Sequence, residues 1–264
     1  MRYVIAIAVS LAAILNGLAV AGAEENPSPY AEVKSNPALS RFGKAIIFYA
    51  GFNGSEKAEI SPGNPVPQGD AKWKEASKNP SSVYVPGFYG MGLKTADYAL
   101  VYAYTNPVLG SSGAIALWLK PEVLKHAGTY YWPVNLQVPK GDYGVMFGRM
   151  GDIRNKEALY AYMAGTSAIC GGMSTWKPGE WHLVVVNWDS GGVEISLDGG
   201  FPVRASLKKT LQSNVIGGLT VRLSGASDDT FVMDELLVLD MPMKAEEIRQ
   251  LYDDGKKASG ASVK

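Results

Sequence analysis

The most informative pattern of hydrophobic and polar positions lies in Thr175–Phe201, TWKPGEWHLVVVNWDSGGVEISLDGGF. Trp181–Trp188 is a nearly continuous apolar run with valines at 184, 185 and 186, which predicts a strand buried on both faces. Asp189-Ser190-Gly191-Gly192 supplies turn chemistry. Val193, Ile195 and Leu197 then alternate with Glu194 and Ser196, the pattern of a half-buried strand. Asp198-Gly199-Gly200 is a second turn, after which Phe201, Val203, Ala205 and Leu207 alternate with Pro202, Arg204 and Ser206. Pro202 has no N–H for a ladder, so the third strand begins at a sheet edge.

Short apolar segments of the same kind recur at Ala99–Tyr104, Ala114–Lys120, Thr129–Val134, Gly144–Arg149, Ala158–Met163, Leu219–Leu223 and Phe231–Leu239. Gly, Pro, Asn and Asp separate them; the chain has 30 glycines and 15 prolines. Met243, Ile248, Leu251 and Tyr252 fall at helical spacing and predict one helix packed on the end of the structure. Many short strands with turn signals and a single helix predict an all-β sandwich. Pro27, Pro29 and Pro37 mark 24–44 as a loose lead-in. Ser61–Pro67 and Lys72–Ser82 read as loops, with the Trp73 ring tucked onto the sandwich. Residues 254–264 read as a frayed tail, leaving one domain over 45–253.

Four segments, in order, resemble the laminin-G-like branch of the concanavalin A-like lectin/glucanase superfamily. They are Ile47–Gly54, Gly113–Pro121, Trp176–His182 with the Leu197-Asp198-Gly199 turn, and Phe231–Tyr252. The resemblance spans about 45–253 and implies a two-sheet antiparallel jelly-roll β-sandwich with one short C-terminal helix. The superfamily contains lectins, adhesion modules and glycan hydrolases, so function must be argued from a site.

Composition narrows the classes. Arg2, an apolar stretch over Tyr3–Val20 and Ala21-Gly22-Ala23 fit a signal peptide over 1–23, and predict export with no membrane span after cleavage. An uncleaved anchor is the alternative. Lys and Arg number 25, as do Asp and Glu, and Arg2 is the leader's only charge. The remainder is one charge negative without a basic stripe, which argues against nucleic-acid binding. The lone Cys170 has no partner for an internal disulfide and reads as a buried small residue.

A glucanase of this fold needs two carboxylates flanking the scissile bond. Relatives carry them as Glu-x-Asp-x-x-Glu, a string absent here. On an alternating strand Asp234 and Glu235 face opposite sides, which is no catalytic layout. His126 and His182 are the only histidines, and His182, at a strand start, reads as a hydrogen-bonded structural residue. The resemblance implies a structural calcium where the opening and closing strands meet, with Asn53 and Asp234 as matching ligands and loop carbonyls assisting. Asn53 stands where relatives often carry Asp, which removes a charge; the alternative is that Asn53-Gly54 is a turn and Asp234 pairs locally. For sugar binding the candidates are Tyr130, Tyr131, Trp132 and Asn135, with Tyr102 and Tyr104 beside Asn106 as a second aromatic group. The expected function is an exported noncatalytic module that binds carbohydrate or a glycosylated surface. A polysaccharide hydrolase or lyase with an unrecognised site and a protein-adhesion module are the alternatives.

Overall fold

The structure is a computed structural model that describes residues 36–94, 98–109, 111–124, 131–137, 146–153, 156–163, 165–171, 175–208, 215–222 and 230–259. The expected signal peptide over 1–23, His126 and Tyr130 lie outside the described residues. The first half contains α1 (Pro37–Phe42), β1 (Ile46–Ala50), β2 (Gln68–Gly69), α2 (Ala71–Ala76), α3 (Pro80–Val83), β3 (Tyr84–Pro86), β4 (Met91–Lys94), β5 (Ala99–Leu109) and β6 (Gly113–Val123). The second contains β7 (Tyr131–Gln137), β8 (Met146–Ile153), β9 (Lys156–Met163), β10 (Thr166–Gly171), β11 (His182–Asp189), β12 (Gly192–Leu197), β13 (Val203–Ser206), β14 (Val215–Arg222), β15 (Thr230–Leu239) and α4 (Ala245–Ser259).

The strands form two antiparallel sheets. The first runs β13-β12-β11-β6-β15-β4-β3, with β1 also paired to β15. The second runs β10-β9-β8-β7-β14-β5-β2. The main core lies between them: Ile115, Leu117, Val184 and Val186 from the first sheet meet Leu100, Tyr102, Val134 and Leu136 from the second. The first sheet is buried on its other face too. There Ala116, Trp118, Leu183, Val185 and Leu237 pack under Leu39 and Phe42 of α1 and Ile248 and Leu251 of α4. This double burial is why β6 and β11 read as continuous apolar runs rather than alternating ones. The one amide within that run, Asn187, is consumed by the backbone at the start of α4. Its Nδ2 donates to the Met243 carbonyl at 2.7 Å and its Oδ1 accepts from the Met243 N–H at 3.0 Å.

β11 and β12 form where the pattern places them and β13 is a sheet edge, but β13 begins only at Val203, which is exposed, and Phe201 stands 94% exposed before it. Trp73 is buried, edge-on to Tyr84 and Tyr98. Three expectations are corrected. Residues 37–42 are not loose: Asn36 caps α1 by accepting from the Ala38 N–H at 2.7 Å, Pro37 fits the first turn, and Ala38, Leu39 and Phe42 are buried. Residues 71–83 are not simply loops, because Asp70 caps α2 through the Trp73 N–H at 2.8 Å. The last helix also runs on to Ser259, beyond the expected tail boundary, with Gly255 packed against Trp118.

Candidate functional site

The junction of β1 and β15 holds the most concentrated buried polar chemistry among the described residues. A bulge in β15 lies between Asp234, opposite Trp118, and Leu237, opposite Ala116. Glu235 sits in it with φ of 56°. The extra residue interrupts the alternation, so Asp234 and Glu235 both turn to the helix-covered face. This corrects the expectation that they face opposite sides. Both are closed off from solvent, at 0% and 3% exposure.

Each acid has its own partners. Asp234 Oδ2 accepts from the Phe88 and Tyr89 N–H groups at 2.6 and 3.0 Å, and Oδ1 accepts from the Glu235 N–H at 2.9 Å. Glu235 Oε2 accepts from the Tyr49 hydroxyl at 2.7 Å and from the Asn36 amide. Burial above all raises the Glu235 carboxyl to about 8; the bonds from Tyr49 and Asn36 oppose the rise and the Glu59 charge adds to it. Burial, then the Glu235 charge, raises Asp234 as well, against the pull of its three N–H donors. Glu59, also raised by burial, accepts from the Gly51 N–H at 3.0 Å.

Asn53 lies on the other side of the same loop, exposed, with Oδ1 accepting from the Met91 N–H at 3.0 Å. A calcium ion needs oxygens that converge on a common point. Here the Asn53 and Asp234 oxygens are turned onto peptide N–H groups, whose positive ends would stand between ligand and ion. The pair does not fit a calcium site as arranged. Among the described residues no group of three His, Cys, Asp or Glu side chains is placed to hold a metal.

The sugar-binding candidates separate. Tyr102 and Tyr104 belong to the core between the sheets, with the Tyr102 hydroxyl donating to the Glu56 carbonyl at 2.5 Å. They offer no ring to a ligand, because alternation on β5 turns them inward. Tyr131 and Trp132 lie on β7, where the register shifts between Tyr131 and Val134; their side chains fall outside the described residues. Asn135 is different. Its neighbours Val134 and Leu136 point into the core, so it faces outward from the second sheet, half-buried, with an Oδ1 that no donor reaches. The register Asn135, Met146, Tyr162 runs across β7, β8 and β9. Ala161 and Met163 are core residues, so Tyr162 shares the outer face with Asn135, two strand spacings or about 10 Å away. Sequence reading missed Tyr162, because pairing register is not written in one strand.

His182 is structural. Its Nδ1 lies 2.8 Å from Asp198 Oδ2, its ring stacks on Trp176 at 4.0 Å, and Asp198 Oδ1 accepts from the Leu183 N–H at 2.9 Å. Asp198 stands at φ of 51°, a conformation Asp and Asn tolerate better than most residues. Cys170 is only half-buried, on the edge strand β10, with burial and then Asp198 pushing its thiol up.

The concanavalin A-like lectin/glucanases superfamily model matches residues 93–249, more than half of the chain, and the chain belongs to that superfamily. Among curated proteins none matches it in sequence. Solved structures share the fold. The receptor-binding domain of botulinum neurotoxin mosaic serotype C/D gives a TM-score of 0.51 at 13% identity, over 64% of this chain and 43% of that one. The binding domain of serotype G gives 0.51 at 13%, over 64% and 44%. The binding domain of botulinum neurotoxin DC, solved in complex with rat synaptotagmin II, gives 0.51 at 12%, over 65% and 44%. The chain therefore spans less than half of each of those domains, and the likeness is one of fold: a two-sheet jelly-roll.

Proposed function

We propose that this chain is an exported, noncatalytic sandwich module that binds carbohydrate or a glycosylated surface through the outer face of its second sheet. The observation that carries this reading is the Asn135 Oδ1 with no donor, in one cross-strand row with Tyr162. That Oδ1 is shielded from solvent as the side chains stand, so a sugar hydroxyl donates to it once the Asn135 side chain turns outward, and an aromatic ring about 10 Å away suits an adjoining apolar sugar face. The superfamily includes lectins, and related folds serve as receptor-binding domains in the neurotoxins, which supports binding over chemistry. The signal-peptide pattern expected over 1–23 supports export.

The test is a glycan array probed with the full chain, followed by titration of any hit against Asn135→Ala and Tyr162→Ala. Loss of affinity in both variants with unchanged melting supports the reading; unchanged affinity removes this face from it.

A second reading, protein adhesion, rests on Phe201, which is 94% exposed at the β12–β13 turn beside the half-exposed Val203. β10, with its exposed Ile169, lies next to β13 at the same edge of the sandwich. An exposed aromatic on a fixed turn is the kind of anchor that protein interfaces use. A null glycan array together with a partner whose capture depends on Phe201 would favour it.

A further inference from the structure

We propose that the β1–β15 junction is a calcium-independent clamp, in which peptide N–H groups of Phe88, Tyr89 and Met91, with the Tyr49 hydroxyl and the Asn36 amide, take the place of a cation. The inference is separate from the reading of the second sheet as a ligand face.

Both oxygens of Asp234, the Oδ1 of Asn53, the Oε2 of Glu235 and the Oε2 of Glu59 all accept hydrogen bonds from protein groups. A divalent ion between closing and opening strands would hold them together by attracting several oxygens at once. In this chain the loop 87–91 does that. It enters between Asp234 on β15 and Asn53 after β1, and presents N–H groups to both. Buried carboxylates stabilised by several N–H donors need no counter-ion in contact.

The loop is shaped for that approach. Gly87 and Gly90 close it by a 2.9 Å N–H to carbonyl bond. A Cβ on Gly87 would stand 2.5 Å from Asp234 Oδ2, and one on Gly90, at φ of 74°, would overlap Asn53 Oδ1. The backbone therefore comes as close to these oxygens as an unsubstituted chain allows. Asn at 53, rather than Asp, completes the pattern: an amide oxygen accepts the Met91 N–H without adding a further negative charge near Asp234.

The arrangement predicts that strand closure, α1 docking through Asn36 and loop order are all indifferent to calcium. The test is thermal unfolding of the full chain in millimolar CaCl2 and in EGTA, with calorimetric titration of CaCl2 into the chelated protein. A structural site filled a hundredfold above its Kd would raise Tm by roughly 5–10 °C in a domain of this size. We expect equal Tm values in the two buffers, and Asp234→Asn to lower Tm equally in both. A calcium-dependent rise that is undiminished in Asp234→Asn would place the ion elsewhere and leave the clamp standing. A rise in the wild type that vanishes in Asp234→Asn would overturn it. If Asp234→Asn does not fold, the exposed Asn53→Ala serves the same comparison.

Discussion

Asp234 and Glu235 are neighbours in sequence and point to the same side of β15, because Glu235 takes φ of 56° within a bulge. On a regular strand they would be on opposite faces. The bulge therefore places two carboxyls in one buried layer, where Asp234 ties down the 87–91 loop and Glu235 ties down the start of α1. Positive φ costs a non-glycine residue about 1–2 kcal/mol. The hydrogen bonds from Tyr49 and Asn36 offset that cost.

Glu235 makes stability depend on pH. Its folded pKa, about 8, lies above its ordinary value of 4.5, so the folded state holds a proton that the unfolded chain releases. Stability is fullest below about 4.5, falls as pH rises toward 8, and levels off above it. Urea melts at pH 5, 6.5 and 8 will show a declining midpoint. Glu235→Gln, which imitates the protonated acid and still accepts from Tyr49, will flatten that slope. A midpoint that is level from pH 5 to 8 in the wild type contradicts this account.

Gly90→Ala will be destabilising by roughly 1–3 kcal/mol, from positive φ together with crowding against Asn53. In an Asn53→Gly background, which already lacks the Met91 bond, Gly90→Ala meets the backbone strain without the crowding, so its cost there is read against Asn53→Gly alone. Comparing the two costs, each from denaturation midpoints, separates backbone strain from the clash. No loss in Gly90→Ala would mean that the loop approaches Asn53 less closely than described.

Asp198, just after β12, ties the end of that strand to His182 and Leu183 at the start of β11. Asp198→Ala removes two acceptors and puts Ala at positive φ, a loss of about 2–4 kcal/mol. Asp198→Asn keeps an acceptor and tolerates the backbone, so it will cost less. Tryptophan emission should shift to the red in the Ala variant, because Trp176 loses the stacked His182 ring as its fixed neighbour. Equal losses in the two variants would show that the side-chain bonds contribute nothing.

Tyr102→Phe deletes the hydroxyl bonded to the Glu56 carbonyl and leaves the ring in the core. The cost is about 0.5–1.5 kcal/mol of stability, with no change in affinity for any glycan the chain binds. A lowered glycan affinity at unchanged stability would return Tyr102 to the ligand site.

The extent to which sequence spoke for this chain follows from range. Local pattern determined the strands of Trp181–Leu207, the turn chemistry between them, the edge position after Pro202, and superfamily membership through motifs that are each contiguous. The double burial of β11 was legible too, since an apolar run leaves no polar face to expose. The acid pair was not, because whether β15 alternates through Asp234 and Glu235 depends on a bulge set by pairing with β6. Tyr102 and Tyr131 look alike as aromatic strand residues, and only sheet packing sends Tyr102 inward. Asn135 and Tyr162 lie 27 positions apart by number and become neighbours across two strands through register alone. Tertiary pairing decides the site, because a side chain's face and its cross-strand companions are properties of two or more strands at once.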